Sequence, residues 1–370
     1  MKIKVLIVFG TRPEAIKMVP VIKSFRADDA FETIVCNTAQ HREMTDQVLE
    51  FFSLKGDYDL DIMQKEQSLN GLMGRLITKL DNVLEEVIPD IVLVHGDTST
   101  CLAATLASFH KQIPVGHVEA GLRTYDFTQP FPEEMNRQVC DKLATLHFAP
   151  TDNAVAALLQ EGVKSNSIFK TGNTIVDAVE LALPMIKNNH PRIQQMDSWL
   201  NPSSRLILVT GHRRENFGKA LLEVIGALKE ISELDNVQLV YPVHLNPNVQ
   251  DPVYDLLGNI YNLLLCDPLD YESFLWLMKR CDFIITDSGG IQEEATVLGK
   301  NVLITRNTTE RQEAVTAGFV KLVGTDKGKI VKEAIHLLQQ SPQKQDKDNP
   351  YGSGDAATQI LNAVKTHFIV

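Results

Sequence analysis

Short apolar runs alternate along this chain with longer stretches of helical spacing, and that alternation constrains the fold more than any single motif. Residues 5–9, 31–37, 91–94, 114–118 and 145–149 read as strands. The runs 5–9 and 91–94 are apolar throughout, as strands covered on both faces can be. Residues 13–25 and 100–109 read as helices, with Pro13 in a first turn and Pro20 placed to kink the helix. After the polar stretch 186–204, which holds Pro191 and Pro202, the alternation restarts. Strands are expected at 206–209, 237–241, 283–285 and 302–304, and helices at 220–231 and 355–365. A chain of 370 residues exceeds one ordinary core. The fold class is therefore α/β, with two doubly wound Rossmann-like domains whose boundary lies between about 165 and 205.

A net charge of -11 argues against nucleic acid as the main partner, because binding a phosphate backbone needs a basic surface. The five cysteines are scattered and form no Cys-x-x-Cys pair, which fits reduced core residues rather than a zinc or disulfide framework. The apolar run after Met1 is too short for a signal peptide and no 18-residue apolar stretch occurs, so a cytoplasmic protein without a membrane partner is expected.

In open parallel sheets ligands bind beyond the carboxyl ends of the strands, so the residues that follow each strand matter most. Thr286-Asp-Ser-Gly-Gly-Ile-Gln-Glu-Glu-Ala295 follows one strand and leads into a helix expected from about Glu293. Ser288, Gly289 and Gly290 then sit at a helix N-terminus, where unpaired N–H groups and the dipole suit a diphosphate, with Glu294 placed for ribose hydroxyls. An ordinary tight strand–helix turn fits the same residues. Gly10-Thr-Arg12 with Lys17 follows the first strand and fits either an anion site or a solvated helix face. Asp97 fits either a helix N-cap or a carboxylate aimed at a ligand. Glu119 ends a buried strand and needs a partner there. Glu133 stands at an expected helix start, spaced to pair with Arg137. Gly211-His-Arg-Arg214 places three cationic side chains at one strand end, which favours an anion, and His212 is the one that titrates near neutrality. A cleft between the two domains would gather these groups.

These segments resemble the non-hydrolysing UDP-N-acetylglucosamine 2-epimerases of bacterial type. The match is carried by Phe9-Gly-Thr-Arg-Pro-Glu-Ala15, Val94-His-Gly-Asp-Thr98, His117-Val-Glu-Ala-Gly-Leu-Arg-Thr124, Pro132-Glu-Glu-Met-Asn-Arg137, Thr210-Gly-His-Arg-Arg-Glu-Asn216, Tyr241-Pro-Val-His-Leu-Asn246 and the segment 286–295. The resemblance implies a glycosyltransferase-B-like fold with residues 1–170 as the first domain, a last helix at about 353–370 packed back on it, and 171–352 as a UDP-binding second domain. It implies reversible interconversion of UDP-GlcNAc and UDP-ManNAc, by a homodimer, without metal or nicotinamide cofactor, supplying ManNAc-type sugars for cell-surface polysaccharide. A hydrolysing epimerase and a glycosyltransferase-B-type transferase are the alternatives.

Carried over residue by residue, the family's catalytic groups fall on Asp97, Glu119, Glu133 and His212. Its sugar-nucleotide contacts fall on Arg12, Lys17, Arg137, Leu269, Phe274, Ser288, Gly289, Gly290, Glu294 and Arg311. Gln40, His41 and His244 correspond to residues that bind a second, activating UDP-GlcNAc in some members, although 64–69 lacks the arginine that goes with them. Gln312 stands where the family has a proline after Arg311, which puts the rigidity of that loop in question.

Overall fold

The computed structural model describes residues 2–40, 42–64, 67–211, 213, 216–340 and 348–368. The chain forms two compact units, Met1–Ala182 with Tyr351–Val370, and Leu183–Pro350.

The first unit carries strands β1 (Ile3–Phe9), β2 (Phe31–Asn37), β3 (Tyr58–Asp59), β4 (Ile91–His95), β5 (Val115–Val118), β6 (Leu146–Ala149) and β7 (Ile168–Lys170). Its helices are α1 (Arg12–Ala27), α2 (Arg42–Phe51), α3 (Leu69–Val87), α4 (Ser99–His110), α5 (Glu133–Leu143), α6 (Asp152–Gln160) and α7 (Thr174–Ala182). All pairings are parallel, in the order β3-β2-β1-β4-β5-β6-β7. The direction of winding therefore reverses between β1 and β4, and the loops after Phe9 and His95 open at that switch point. β1 and β4 are buried almost throughout, which explains their near-continuous apolar sequences. The helix α1 continues through Pro20 to Ala27.

The second unit carries α8 (Pro191–Trp199), β8 (Arg205–Val209), α9 (Lys219–Ser232), β9 (Val237–Pro242), α10 (Pro247–Leu257), β10 (Leu263–Cys266), α11 (Tyr271–Arg280), β11 (Phe283–Thr286), α12 (Gly289–Val297), β12 (Asn301–Ile304), α13 (Gln312–Thr316), β13 (Val320–Leu322) and α14 (Lys327–Gln339). Its sheet runs β10-β9-β8-β11-β12-β13, again parallel, with the switch between β8 and β11. Gly211 and Ser288 follow those two strands.

Helix α15 (Ala356–Phe368) then packs on α1 and α7 of the first unit. Asp177 of α7 accepts the N–H groups of Ala356 and Ala357 at 3.3 and 3.0 Å, covering the N-terminus of the returning helix. Lys365 reaches Asp28 at 2.8 Å near its other end.

Three sequence expectations are corrected here. The first unit runs past residue 170 to Ala182, because α7 packs on α1 rather than opening the second unit. The polar stretch 186–204 contains α8, whose Ile193 and Met196 are buried and Trp199 half-buried while its other residues are exposed. The helix after β11 starts at Gly289, not near Glu293, since Ser288 is already its N-cap. No helix among the described residues is long and apolar enough to cross a membrane.

Candidate active site

At the first unit's switch point, Thr11-Arg-Pro-Glu14 forms a capping box that turns β1 into α1. The Glu14 carboxylate accepts from the N–H groups of Gly10 and Thr11 at 3.1 and 2.8 Å and from the Thr11 hydroxyl at 2.8 Å. Its other oxygen accepts from Thr98 Oγ1 at 2.6 Å, so one carboxylate joins the loop that carries Arg12 to the loop that carries Asp97. Burial pushes this carboxyl up to about 7, against the lowering pull of Thr98, Thr11 and the two backbone N–H groups. Gly10 has no room for a side chain: a Cβ there would lie 2.0 Å from Thr38 Oγ1. Arg12 is the first residue of α1 and half-buried.

Asp97 is not the N-cap of α4. That position belongs to Thr98, whose hydroxyl accepts from the Cys101 N–H at 3.1 Å. Asp97 instead forms an ion pair with Arg137, and its carbonyl accepts from Asn136 Nδ2 at 2.7 Å. Arg137 also donates to Glu134 Oε2 at 3.1 Å. Sequence spacing points to Glu133 as its helix partner; the residue three before it, Glu134, is the one that meets it. Glu134 is fully buried and further accepts from the N–H groups of Thr124 and Tyr125 at 3.1 and 3.0 Å, which holds that loop against α5. Glu133 is the first residue of α5 and half-buried at the positive end of its dipole.

Glu119 follows β5 with φ +67°, a left-handed conformation that a side-chain-bearing residue adopts only where its surroundings impose it. Its carboxylate is 7% exposed and forms an ion pair with Lys17. Asn173 Nδ2 donates to it at 3.1 Å, and His95 Nε2 lies 3.8 Å away. The partner that burial demands is thus Lys17, which the family resemblance places among ligand contacts. Asp97, Glu119 and Glu133 stand on loops that leave adjacent strands of one sheet or open the next helix, the position from which open α/β sheets act on ligands.

In the second unit the turn after β11 is braced from both sides. Asp287 Oδ2 accepts from the Arg213 N–H at 2.9 Å and from Asn216 Nδ2 at 3.2 Å. The buried Gln292 amide donates to the Ser288 carbonyl at 3.3 Å and accepts from the Thr309 hydroxyl at 2.9 Å. Thr309 Oγ1 in turn accepts from the Arg311 N–H at 3.1 Å. Arg311 pairs with Glu293 at 3.0 Å and Glu310 at 2.7 Å. A Cβ on Gly289 would lie 3.1 Å from Glu310 Oε1 and 3.5 Å from Arg311 Cζ, so the Glu310–Arg311 ion pair lies directly on the helix start. Burial pushes the Glu310 carboxyl up, but Arg311 and Arg306 bring it down to about 2. The loop that Gln312 put in question is closed by that residue itself, whose amide donates to the Thr309 carbonyl at 2.7 Å. Ser288 and Gly290 are half-buried and Gly289 buried. Glu294 lies within α12, on its second turn rather than its first, and is 8% exposed.

Leu269 and Phe274 are buried at the entry to and on the first turns of α11. Gln40 of the first unit accepts from Thr100 Oγ1 at 3.2 Å, and His244 of the second is exposed and accepts from the Asn246 N–H at 3.1 Å. His212 and His41 lie outside the described residues.

Sequence reasoning does not single out Glu14, Glu134, Asn173, Gln292 or Glu293. Glu14 has a local signal in the Thr-x-x-Glu capping spacing, and Glu134 in its i,i+3 spacing to Arg137, whereas Asn173 and Glu293 meet their partners Glu119 and Arg311 from other elements.

The UDP-N-acetylglucosamine 2-epimerase family model matches residues 23–365. The chain is 51% identical over 373 residues to the UDP-N-acetylglucosamine 2-epimerase of Escherichia coli strain K12, covering 99% of each chain. It is 50% identical over 369 residues to that of Campylobacter jejuni, covering 97% of this chain and 96% of the relative. The crystal structure of the Neisseria meningitidis enzyme bound to UDP-GlcNAc is similar with a TM-score of 0.93 and 45% identity, over 98% of this chain and 100% of that one. The Methanocaldococcus jannaschii enzyme in complex with UDP-GlcNAc and UDP is similar with a TM-score of 0.86 and 32% identity, over 98% and 100%. The two parallel-sheet units are those of a glycosyltransferase-B-like fold. The chain belongs to the UDP-N-acetylglucosamine 2-epimerase family.

Proposed function

We propose that the protein interconverts UDP-GlcNAc and UDP-ManNAc by eliminating UDP and adding it back. The observation that carries this reading is Glu119, a buried carboxylate on strained backbone paired with Lys17, beside the Asp97–Arg137 pair at the neighbouring strand end. Such groups, held in place before a ligand arrives, suit proton transfer rather than binding alone.

The chemistry follows from the substrate. The C2 hydrogen has no carbonyl on its carbon, so a carboxylate removes it only as the anomeric C–O bond breaks and positive charge grows at C1. UDP leaves with the bonding electron pair, the C2 proton passes to a carboxylate, and a glucal-like alkene remains. Delivery of a proton to the opposite face of C2 and return of UDP to C1 completes the inversion. Two faces require more than one acid–base group, and Asp97, Glu119 and Glu133 share that work. Arg12, His212 and the N–H groups at Ser288, Gly289 and Gly290 stabilise the departing diphosphate, with Glu294 and Arg311 as further nucleotide contacts. Unlike the hydrolysing alternative, the reaction returns UDP to the sugar; relatives named as the epimerase match the whole chain.

Further parts of the reading are a cytoplasmic homodimer that supplies ManNAc-type sugars for cell-surface polysaccharide. The cytoplasmic placement is supported by five free cysteines, and the homodimer by the family resemblance.

The test is proton NMR of UDP-GlcNAc with the enzyme in heavy water. Deuterium at C2 of both epimers, without free ManNAc, is expected; an unlabelled epimer or released sugar would overturn the scheme.

A further inference from the structure

Beside the strand ends that carry these carboxylates lies a fully buried polar cluster for which the mechanism has no use. The His117 ring, on β5, touches two acceptors: Nδ1 lies 2.6 Å from Asp141 Oδ1 on α5, and Nε2 lies 2.7 Å from the Gly96 carbonyl after β4. A neutral imidazole has one N–H and would turn a lone pair toward one of these oxygens. Both contacts are satisfied only if the ring carries both protons. The second oxygen of Asp141 accepts from the Gly121 N–H at 3.1 Å and pairs with Arg123 at 2.7 Å. Arg123 is itself held by Glu161 at 2.7 Å.

The anchor points tie this cluster to the site. Gly96 immediately precedes Asp97, and Gly121 lies two residues beyond Glu119. One continuous chain of hydrogen bonds thus runs from the backbone at Asp97, through His117 and Asp141, to the backbone beyond Glu119. We propose that the His117–Asp141 ion pair is a positioning device that sets the spacing of Asp97 and Glu119, and that it works only while His117 is an imidazolium. The proposal rests on the reading of Asp97 and Glu119 as the acid–base carboxylates.

The surroundings agree. Burial alone would lower the His117 pKa, but Asp141, through charge and hydrogen bond, and the Gly96 carbonyl raise it to about 9. Asp141, raised by burial, is brought down to about 2 by His117 and Arg123. The remaining titratable groups around the ring are Cys140 on α5, with Cys101 of α4 at 3.6 Å from it, and His147 on β6, whose Nε2 donates to the Asp141 carbonyl at 2.8 Å. Burial holds His147 below its ordinary value, so it adds no competing positive charge near pH 7.

The experiment has two arms. The first is nitrogen NMR of histidine-labelled wild-type protein between pH 6 and 10. One buried histidine with both ring nitrogens in the imidazolium range until about pH 9 is expected. If every histidine shows a neutral ring by pH 8, the proposal falls. The second arm compares kcat and KM across pH for wild type, Asp141→Asn and His117→Gln. In Asp141→Asn the alkaline limb of kcat moves from near 9 to below 7, because burial is left without the opposing charge, and kcat at pH 8 falls at least about tenfold while KM stays within about twofold. His117→Gln keeps one of the two bonds and loses the alkaline limb altogether. A variant that folds with the wild-type limb overturns the proposal; if a variant fails to fold, the wild-type nitrogen spectra decide alone. Absence of C2 exchange in the wild type would instead refute the reading of the carboxylates, and the nitrogen spectra would still decide the ion pair.

Discussion

Lys17 of α1 and Glu119 beyond β5 form an ion pair in which both side chains are less than a tenth exposed, at 5% and 7%. A buried charge left alone is costly, whereas a buried pair exchanged for neutral groups is often tolerated. Lys17→Met is therefore expected to destabilise the protein by about 3–5 kcal/mol, and the double variant Lys17→Met, Glu119→Gln to recover most of that. Urea unfolding of the wild type, Lys17→Met, Glu119→Gln and the double variant closes the cycle, and purely additive costs would show the two residues to be uncoupled.

Asp97→Asn and Glu119→Gln keep shape and remove the proton acceptor. Turnover is expected to fall by about 10²–10⁴ in each. Binding of UDP, measured by calorimetry, should stay within about threefold, because its contacts are assigned elsewhere. Near-wild-type kcat in either variant removes that residue from the mechanism.

Glu14 makes stability depend on pH. Its carboxyl holds a proton up to about 7 in the folded protein, against an ordinary value of 4.5. Between those two values the folded state binds more protons than the unfolded chain, so stability is greatest below pH 4.5 and is lost as pH rises through 7. The contribution is at most about 3 kcal/mol. Glu14→Gln, which cannot ionise, is expected to lack this slope in unfolding experiments at pH 5 and pH 8. An unchanged slope would locate the pH dependence in other groups.

Gln312 closes the Thr309–Arg311 loop through a hydrogen bond of 2.7 Å from its side-chain amide to the Thr309 carbonyl. A bond of that kind has a net worth of about 1 kcal/mol. Gln312→Ala should raise KM for UDP-GlcNAc about three- to fivefold with kcat nearly constant. Steady-state kinetics check this, and an unchanged KM would mean that Glu293 and Glu310 hold Arg311 without help.

The strands and the switch points are legible in the sequence because parallel strands covered on both faces have almost no choice of residue. The runs at 91–94 and 283–285 hold no polar position to confuse the pattern. The helix N-terminus at Ser288 is legible for a related reason, since glycines after a buried strand restrict what the backbone can do. Short edge strands such as β3 and β13 are not, because two or three residues carry too little pattern. Helix α8 is hidden by a mostly polar face that resembles a connector.

The amino-acid sequence by itself determined which residue types stand at the strand ends, because period and turn chemistry are local properties of the chain. It also determined the family, through motifs spread in order along it. Only the tertiary structure decided who pairs with whom. Lys17 meets Glu119 across 102 positions, Arg137 meets Asp97 across 40, and Asp177 meets the returning helix across 180. Those choices come from burial, which forbids an unpaired charge and selects the one partner that the packing brings within reach.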